Sequence, residues 1–199
     1  MVLPLTFPAT PDGSEKAIRL FAESYGRPVI VYVKAESFLT PTHIKRLVDN
    51  GLVAAIKYAV IRQDVAVDPF LRELLDKVDA KLIVSGIGER PAVEHLRNFG
   101  LAGFTSGSVC IAPRGSTLML AALKSRNFAK AETIRAAYLP LEDLRDAHSP
   151  IRVLHEAVTL AGIADMGPML PQLSAIAVEQ RTAVGAASKA LLAHDRALQ

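Results

Sequence analysis

Cysteine is almost absent: Cys110 is the single one in 199 residues. An internal disulfide framework and a cysteine-built zinc site are therefore excluded, as a reducing cytosol permits. A surplus of one charge is also missing, since 23 Lys+Arg against 20 Asp+Glu leave only +3, spread thinly along the chain. The pI of about 9.1 reflects that small excess and no basic run, so neither nucleic acid nor a membrane surface is expected as a partner. The opening MVLPLTFPATPDGSEK has no basic stretch followed by an apolar one, and nothing approaches the roughly 18 uninterrupted apolar residues of a membrane span. A cytoplasmic address is the expectation. What the chain does have is apolar bulk, 50% hydrophobic residues and a mean hydropathy of +0.26, enough for a sizeable core.

That bulk comes in four short runs: 28–33 (PVIVYV), 52–61 (LVAAIKYAVI), 81–87 (KLIVSGI) and 103–111 (GFTSGSVCI). Each is nearly continuous and rich in β-branched residues, as in parallel strands covered on both faces. Between them lie amphipathic stretches of helical length at 41–50, 68–78 and 90–99, and a further helix is predicted over 12–25. Thr40 or Thr42 is placed to cap the first of the three, and Asp68 before Pro69 the second, while Gly51 and Gly100 mark helix ends. Strict alternation of strand and helix predicts βαβ units with right-handed crossovers. Residues 2–7 read as the end of another strand, and the chain beyond Pro113 as helices broken at Pro140, at Pro150 and at the Gly167–Pro171 turn. The fold class expected is α/β, with residues 1–125 a partial parallel barrel of about four strands and residues 126–199 a helical extension. Four strands are half of an eight-stranded (β/α) barrel, whose complete form takes about 250 residues.

Lys57 interrupts the second apolar run in the middle of a predicted strand. Desolvation disfavours an ammonium and lowers its pKa, which is how an amine becomes nucleophilic enough to form a Schiff base. The competing interpretation is a strand-end lysine whose amine reaches water or a carboxylate. Alternation places Val53, Ala55, Lys57 and Ala59 on one face, and the small neighbours leave room for a ligand. Tyr32, near the end of the preceding strand, is within reach of the Lys57 amine and could relay protons; taken alone it is equally a hydrogen-bonded core tyrosine. The next two strands end in Gly86 and Thr105, at the end of such sheets where ligands bind.

Tyr32 in IVYVKAES, Lys57 in LVAAIKYA, Ser85-Gly86 in LIVSGIGE and the run GFTSGSVCIAP resemble the dihydrodipicolinate synthase/N-acetylneuraminate lyase family. Their order fits strands five to eight of its barrel, and LHEAVTLAGIADMGPMLPQLS resembles its closing helix and proline-rich turn. The resemblance implies a Schiff-base aldolase or dehydratase acting on pyruvate or another small 2-oxo acid, a homo-oligomer that uses no metal and no organic cofactor. Lys57 would be the nucleophile and Tyr32 the proton relay; Gly86 would let substrate approach the backbone, and Thr105 would flank the amine with its carbonyl.

Departures accompany the matches. Tyr32-Val33-Lys34-Ala35-Glu36-Ser37 stands where many members have Tyr-Asn-Val-Pro followed by Ser-Arg, so the carboxylate-binding arginine is Ser37 and dihydrodipicolinate synthesis itself is not expected. Tyr58 replaces the usual glutamate after the lysine, and Thr6 stands for the tyrosine that crosses into a neighbouring subunit. The chain starts near the end of strand four, so the Gly-Thr-Thr-Gly-Glu loop that cradles the substrate carboxylate falls outside it. The alternative to a lyase is therefore a non-catalytic partial barrel that needs another chain or an N-terminal segment, with residues 29–31 and 104–111 as exposed apolar edges. The Gly86-Ile87-Gly88 pair suits a tight turn better than a phosphate site. Cys110 reads as an inert core thiol, His148 and His155 as unsuited to a metal, and Arg145 and Asp146 as solvated helix charges.

Overall fold

Helix α1 (Pro11–Tyr25) starts where Thr10 accepts a hydrogen bond from the Gly13 amide and Pro11 occupies the first turn. In this computed structural model, which describes residues 1–4 and 7–198, it is followed by strand β1 (Val29–Val33), α2 (Pro41–Asp49), β2 (Val53–Tyr58), α3 (Pro69–Leu75), β3 (Ile83–Ser85), α4 (Ala92–Asn98) and β4 (Gly103–Phe104). Thr40 caps α2, and the Asp68 carboxylate caps α3 by accepting from the Leu71 amide. Gly51 and Gly100 take the left-handed conformation just beyond α2 and α4, which glycine adopts without a steric penalty.

The sheet order is β1-β2-β3-β4, all parallel. Right-handed crossovers without a reversal of order send every connecting helix to the same side, as in the staves of a barrel; a doubly wound sheet would reverse and use both sides. On the helix side lie Val31, Val33, Ile56, Tyr58, Ile83 and Ser85, all buried, and the apolar ones among them form the core with Ile18, Leu47 and Leu71. Half-buried Tyr32, Lys57 and Val84 alternate with them on the opposite side.

Several expectations need correction. Val53 does not share the Lys57 face: a bulge between Val29 and Ile30 pairs them with Val53 and Ala55, leaving Ala54 as an extra residue that switches the alternation. The third run begins as a 3-10 turn, Ala80–Leu82, because the Asp79 carboxylate accepts from the Lys81 amide. The fourth is a strand only at Gly103–Phe104; the Ser106 hydroxyl accepts from the Val109 amide, which diverts the backbone from the ladder into a 3-10 turn at Ser108–Cys110. Of the strand predicted over 2–7, Val2 makes a single parallel bridge to Val31, and positions 5 and 6, including Thr6, lie outside the described residues.

The chain forms two compact units, residues 1–87 with 94–105, and residues 88–93 with 106–199. The second holds α5 (Pro113–Lys124), α6 (Phe128–Ala147), α7 (Pro150–Leu160) and α8 (Val178–Ala197) around buried Met119, Tyr138, Leu141, Val153 and Leu191. Pro150 opens α7 as predicted, but Pro140 does not break α6. Both Pro140 and Ala136, whose carbonyl the missing N–H would have bonded, are exposed, so water can satisfy that carbonyl. Among the described residues no helix is long and apolar enough to cross a membrane.

Candidate active site

Register brings the four residues singled out in the sequence onto one side of the sheet. Tyr32 pairs with Lys57, and Lys57 with Val84. One step further toward the carboxyl ends, the ladder continues through Ala59 N to Val33 O, Gly86 N to Tyr58 O and Thr105 N to Ser85 O, at 2.8, 2.6 and 2.8 Å. Side chains alternate, so the row Tyr32–Lys57–Val84 is followed on the same face by the row Lys34–Ala59–Gly86–Thr105.

Within that patch the Lys57 Nζ lies 4.5 Å from the centroid of the Tyr32 ring. No ion pair or hydrogen bond holds the amine among the described residues. Burial pushes its pKa below the usual lysine range, and the charge on Lys34 pushes in the same direction. The aromatic face opposes both by favouring a cation. Burial raises the Tyr32 phenol, which stays protonated and able to donate. Gly86 is explained by the stem of the lysine: a Cβ there would lie 2.8 Å from Lys57 Cγ, 2.8 Å from the Tyr58 carbonyl and 2.9 Å from Ala59 Cβ. Thr105 also donates its hydroxyl to the Ser85 carbonyl at 3.4 Å.

The opposite face carries a network that sequence reasoning missed. Buried Tyr58 donates to Asp68 Oδ2 at 2.6 Å, and Arg62 links Asp68, at 2.7 Å, to Glu36. Buried His95 shares a 2.8 Å hydrogen bond with Ser85 and is pushed down to about 4 by desolvation, so it is neutral. In one-dimensional sequence Asp68 is a helix cap and His95 a polar residue on a helix; only the packing of α3 and α4 shows them to be interior. These groups fix β2 and β3 from behind and leave the Lys57 side uncluttered.

The second unit corrects further expectations. Arg145 is buried, 3.0 Å from Glu142 and 3.0 Å from Asp146, instead of solvated. Glu142, raised to about 7 by burial, accepts from the amides of Glu89 at 3.1 Å and Arg90 at 2.8 Å, so the protein's own carboxylate fills the anion position after Gly88. A Cβ on Gly88 would meet Glu142 Oε1 at 2.1 Å, which accounts for that glycine as turn chemistry. Cys110 is exposed, because the strand expected to bury it ends at Phe104, and its thiol is pushed up by desolvation and is not activated. His148 caps α6 and bonds Gln180. No cluster of three or more metal-ligating side chains occurs among the described residues. An apolar cavity of 420 Å³ beside α1, walled by Val2, Ala17, Ile18, Phe21 and Phe38 among others, has no titratable side chain and no part in the Lys57 patch.

A model of the dihydrodipicolinate synthetase family matches residues 1–191. No curated protein matches the chain. Among solved structures, the dihydrodipicolinate synthase of Oceanobacillus iheyensis superposes with a TM-score of 0.81 at 25% identity, over 94% of this chain and 62% of that one. The enzyme from Bacillus clausii gives 0.80 at 21% identity, covering 94% and 62%, and DapA-2 from Bacillus anthracis 0.80 at 20%, covering 95% and 63%. The latter two are similar in fold. The chain thus spans less than two thirds of the length of these structures.

Proposed function

The chain belongs to the dihydrodipicolinate synthetase family, and from that premise we propose that it is a lyase, an aldolase or dehydratase, whose Lys57 forms a Schiff base with pyruvate or a related 2-oxo acid. The observation that carries this reading is the Lys57 amine lying on the Tyr32 ring, depressed in pKa and with no acidic partner among the described residues.

The neutral amine adds to the keto carbon, forming a C–N bond as the carbonyl π electrons move to oxygen. Tyr32 carries the proton that nitrogen loses to that oxygen. With one further proton from water the hydroxyl leaves as water, and an iminium remains. The iminium then accepts the electron pair of a bond broken at the neighbouring carbon, so that carbon–carbon cleavage or loss of water follows. Gly86 gives the lysine stem and the substrate room over β3, and the Thr105 carbonyl flanks the amine. Residues 1–125 supply the partial barrel and residues 126–199 the helical extension of a cytoplasmic homo-oligomer that needs neither metal nor organic cofactor.

Borohydride reduction in the presence of pyruvate is expected to add the mass of the reduced adduct to the peptide containing Lys57, and Lys57→Ala to abolish it. Labelling should rise with pH and level off below the range of an ordinary lysine, since only the free amine attacks. No adduct, or one at another lysine, overturns the proposal. A second reading, a partial barrel inactive until another chain or an N-terminal segment completes it, is favoured by the 62% coverage of the related structure. It predicts that labelling appears only when the missing strands are supplied.

A further inference from the structure

We infer that Lys34 is a second cation of this site and binds the carboxylate of the 2-oxo acid that reacts at Lys57. The inference rests on the Schiff-base reading and adds to it the group that selects an acid over a neutral carbonyl.

Lys34 follows Tyr32 by two positions, and the ladder bond from Ala59 N to Val33 O keeps the register to that point. It therefore begins the row Lys34–Ala59–Gly86–Thr105, immediately beyond the row that holds Lys57. With a rise of about 3.3 Å per residue and about 4.8 Å between strands, the two lysine Cα atoms stand about 8 Å apart, within the combined reach of their side chains. The rest of the row is uncharged, and Ala59 and Gly86 carry too little side chain to fill the space between.

No anion of the protein occupies Lys34. It is exposed and has no ion pair or hydrogen bond among the described residues. The nearest carboxylate in sequence, Glu36, is bound to Arg62, and Asp68 is bound to Arg62 and Tyr58. A 2-oxo acid brings the missing charge: its carboxylate is one bond from the carbon that joins the Lys57 nitrogen. Ser37 removes the arginine expected nearby, and Lys34 puts a cation back one turn of the chain earlier, on the face of the amine. Before substrate arrives that cation discourages protonation of Lys57; once the acid is bound it faces a carboxylate. The titratable and charged groups on the elements packed around Lys57 are Tyr32 and Lys34 from β1 and its continuation, Tyr58 with Asp68 on the far side, and the Glu36–Arg62 pair; β3 contributes Val84, Ser85 and Gly86, none charged.

The test is borohydride labelling of the Lys57 peptide by pyruvate and by its uncharged methyl ester, in the wild type, Lys34→Gln and Lys34→Arg. On the pH plateau, Lys34→Gln should raise the pyruvate concentration for half-maximal labelling about tenfold, the equivalent of one charge-assisted hydrogen bond, and leave that of the ester unchanged. It should also move the pH midpoint of labelling upward with either compound, and Lys34→Arg should restore both. An equal change in the half-maximal concentration of pyruvate and ester, or no change in either, overturns the inference while leaving the Schiff base intact. A wild type that pyruvate does not label at Lys57 overturns both.

Discussion

Single residues in this chain announce themselves when they violate their surroundings. Lys57 was legible because a charge inside an apolar strand demands a reason, and Tyr32 because parallel pairing brings it alongside. His95 was not, since a histidine on an amphipathic helix looks solvated until the helix is packed. Its burial has a measurable consequence. The ring sits edge-on to Tyr58 and Phe99, hydrogen-bonded to Ser85, and takes a proton only near pH 4, whereas in the unfolded chain it does so near 6.5. A folded-state pKa depressed in this way contributes stability that is complete above about pH 6.5 and is lost as the pH falls to about 4, about 3 kcal/mol in all. The carboxylates of Glu15 and Asp68, held below their ordinary range by Arg46 and Arg62 despite burial, lose stability in acid as well, so the difference between two proteins is the useful quantity. Urea unfolding at several pH values should show the gap between wild type and His95→Asn narrowing from pH 7 to pH 4. A constant gap would mean that the folded protein protonates His95 freely.

Elements were more legible than their ends. Alternating runs and caps located all four strands and the helices between them, because caps such as Thr40 and Asp68 are local chemistry. Local competition hid the rest: the bulge at Ala54 shifts the register, and the Asp79 and Ser106 turns trade ladder bonds for side-chain bonds, none of which a hydrophobic pattern records. Pro140 misled for the opposite reason, since its penalty is overridden by the burial of Tyr138 and Leu141 on the same helix. The penalty is still present. Pro140→Ala should restore a donor to the Ala136 carbonyl and stabilise the protein by about 2 kcal/mol, after allowance for the greater freedom of the unfolded chain. A higher urea midpoint with unchanged slope is the expected result; a lower one would show that α6 needs the proline for its path between α5 and α8.

At the scale of the molecule, the face of the sheet that carries Lys57 decides behaviour. In a closed barrel the inward side chains fill the interior in layers and no strand has a free edge. Here, among the described residues, β4 pairs with β3 alone, and the outer edge of β1 is met by Val2, which donates to Ile30 O at 2.8 Å and accepts from Tyr32 N at 3.2 Å. Of the apolar edges expected from the sequence, Val29, Val31 and Ile111 are buried, yet Ile30 remains 40% exposed. It points to the same side as Tyr32 and Lys57, where alternation in β1 puts it, so exposed apolar surface and reactive amine share one face. An apolar strand edge of this kind pairs with whatever strand or apolar surface it meets. Prepared as these 199 residues, the protein should associate in a concentration-dependent way in sedimentation experiments, and Ile30→Lys should weaken that association at least about tenfold by placing a charge at the contact. Because residue 30 lies one row before the Tyr32–Lys57 row, on the side away from Gly86 and Thr105, pyruvate labelling per folded molecule should survive the substitution if a single chain holds the whole site. Loss of labelling in step with loss of association would instead assign part of the carboxylate cradle to the neighbouring copy, and a wild type that stays monomeric at every concentration would overturn the expected association.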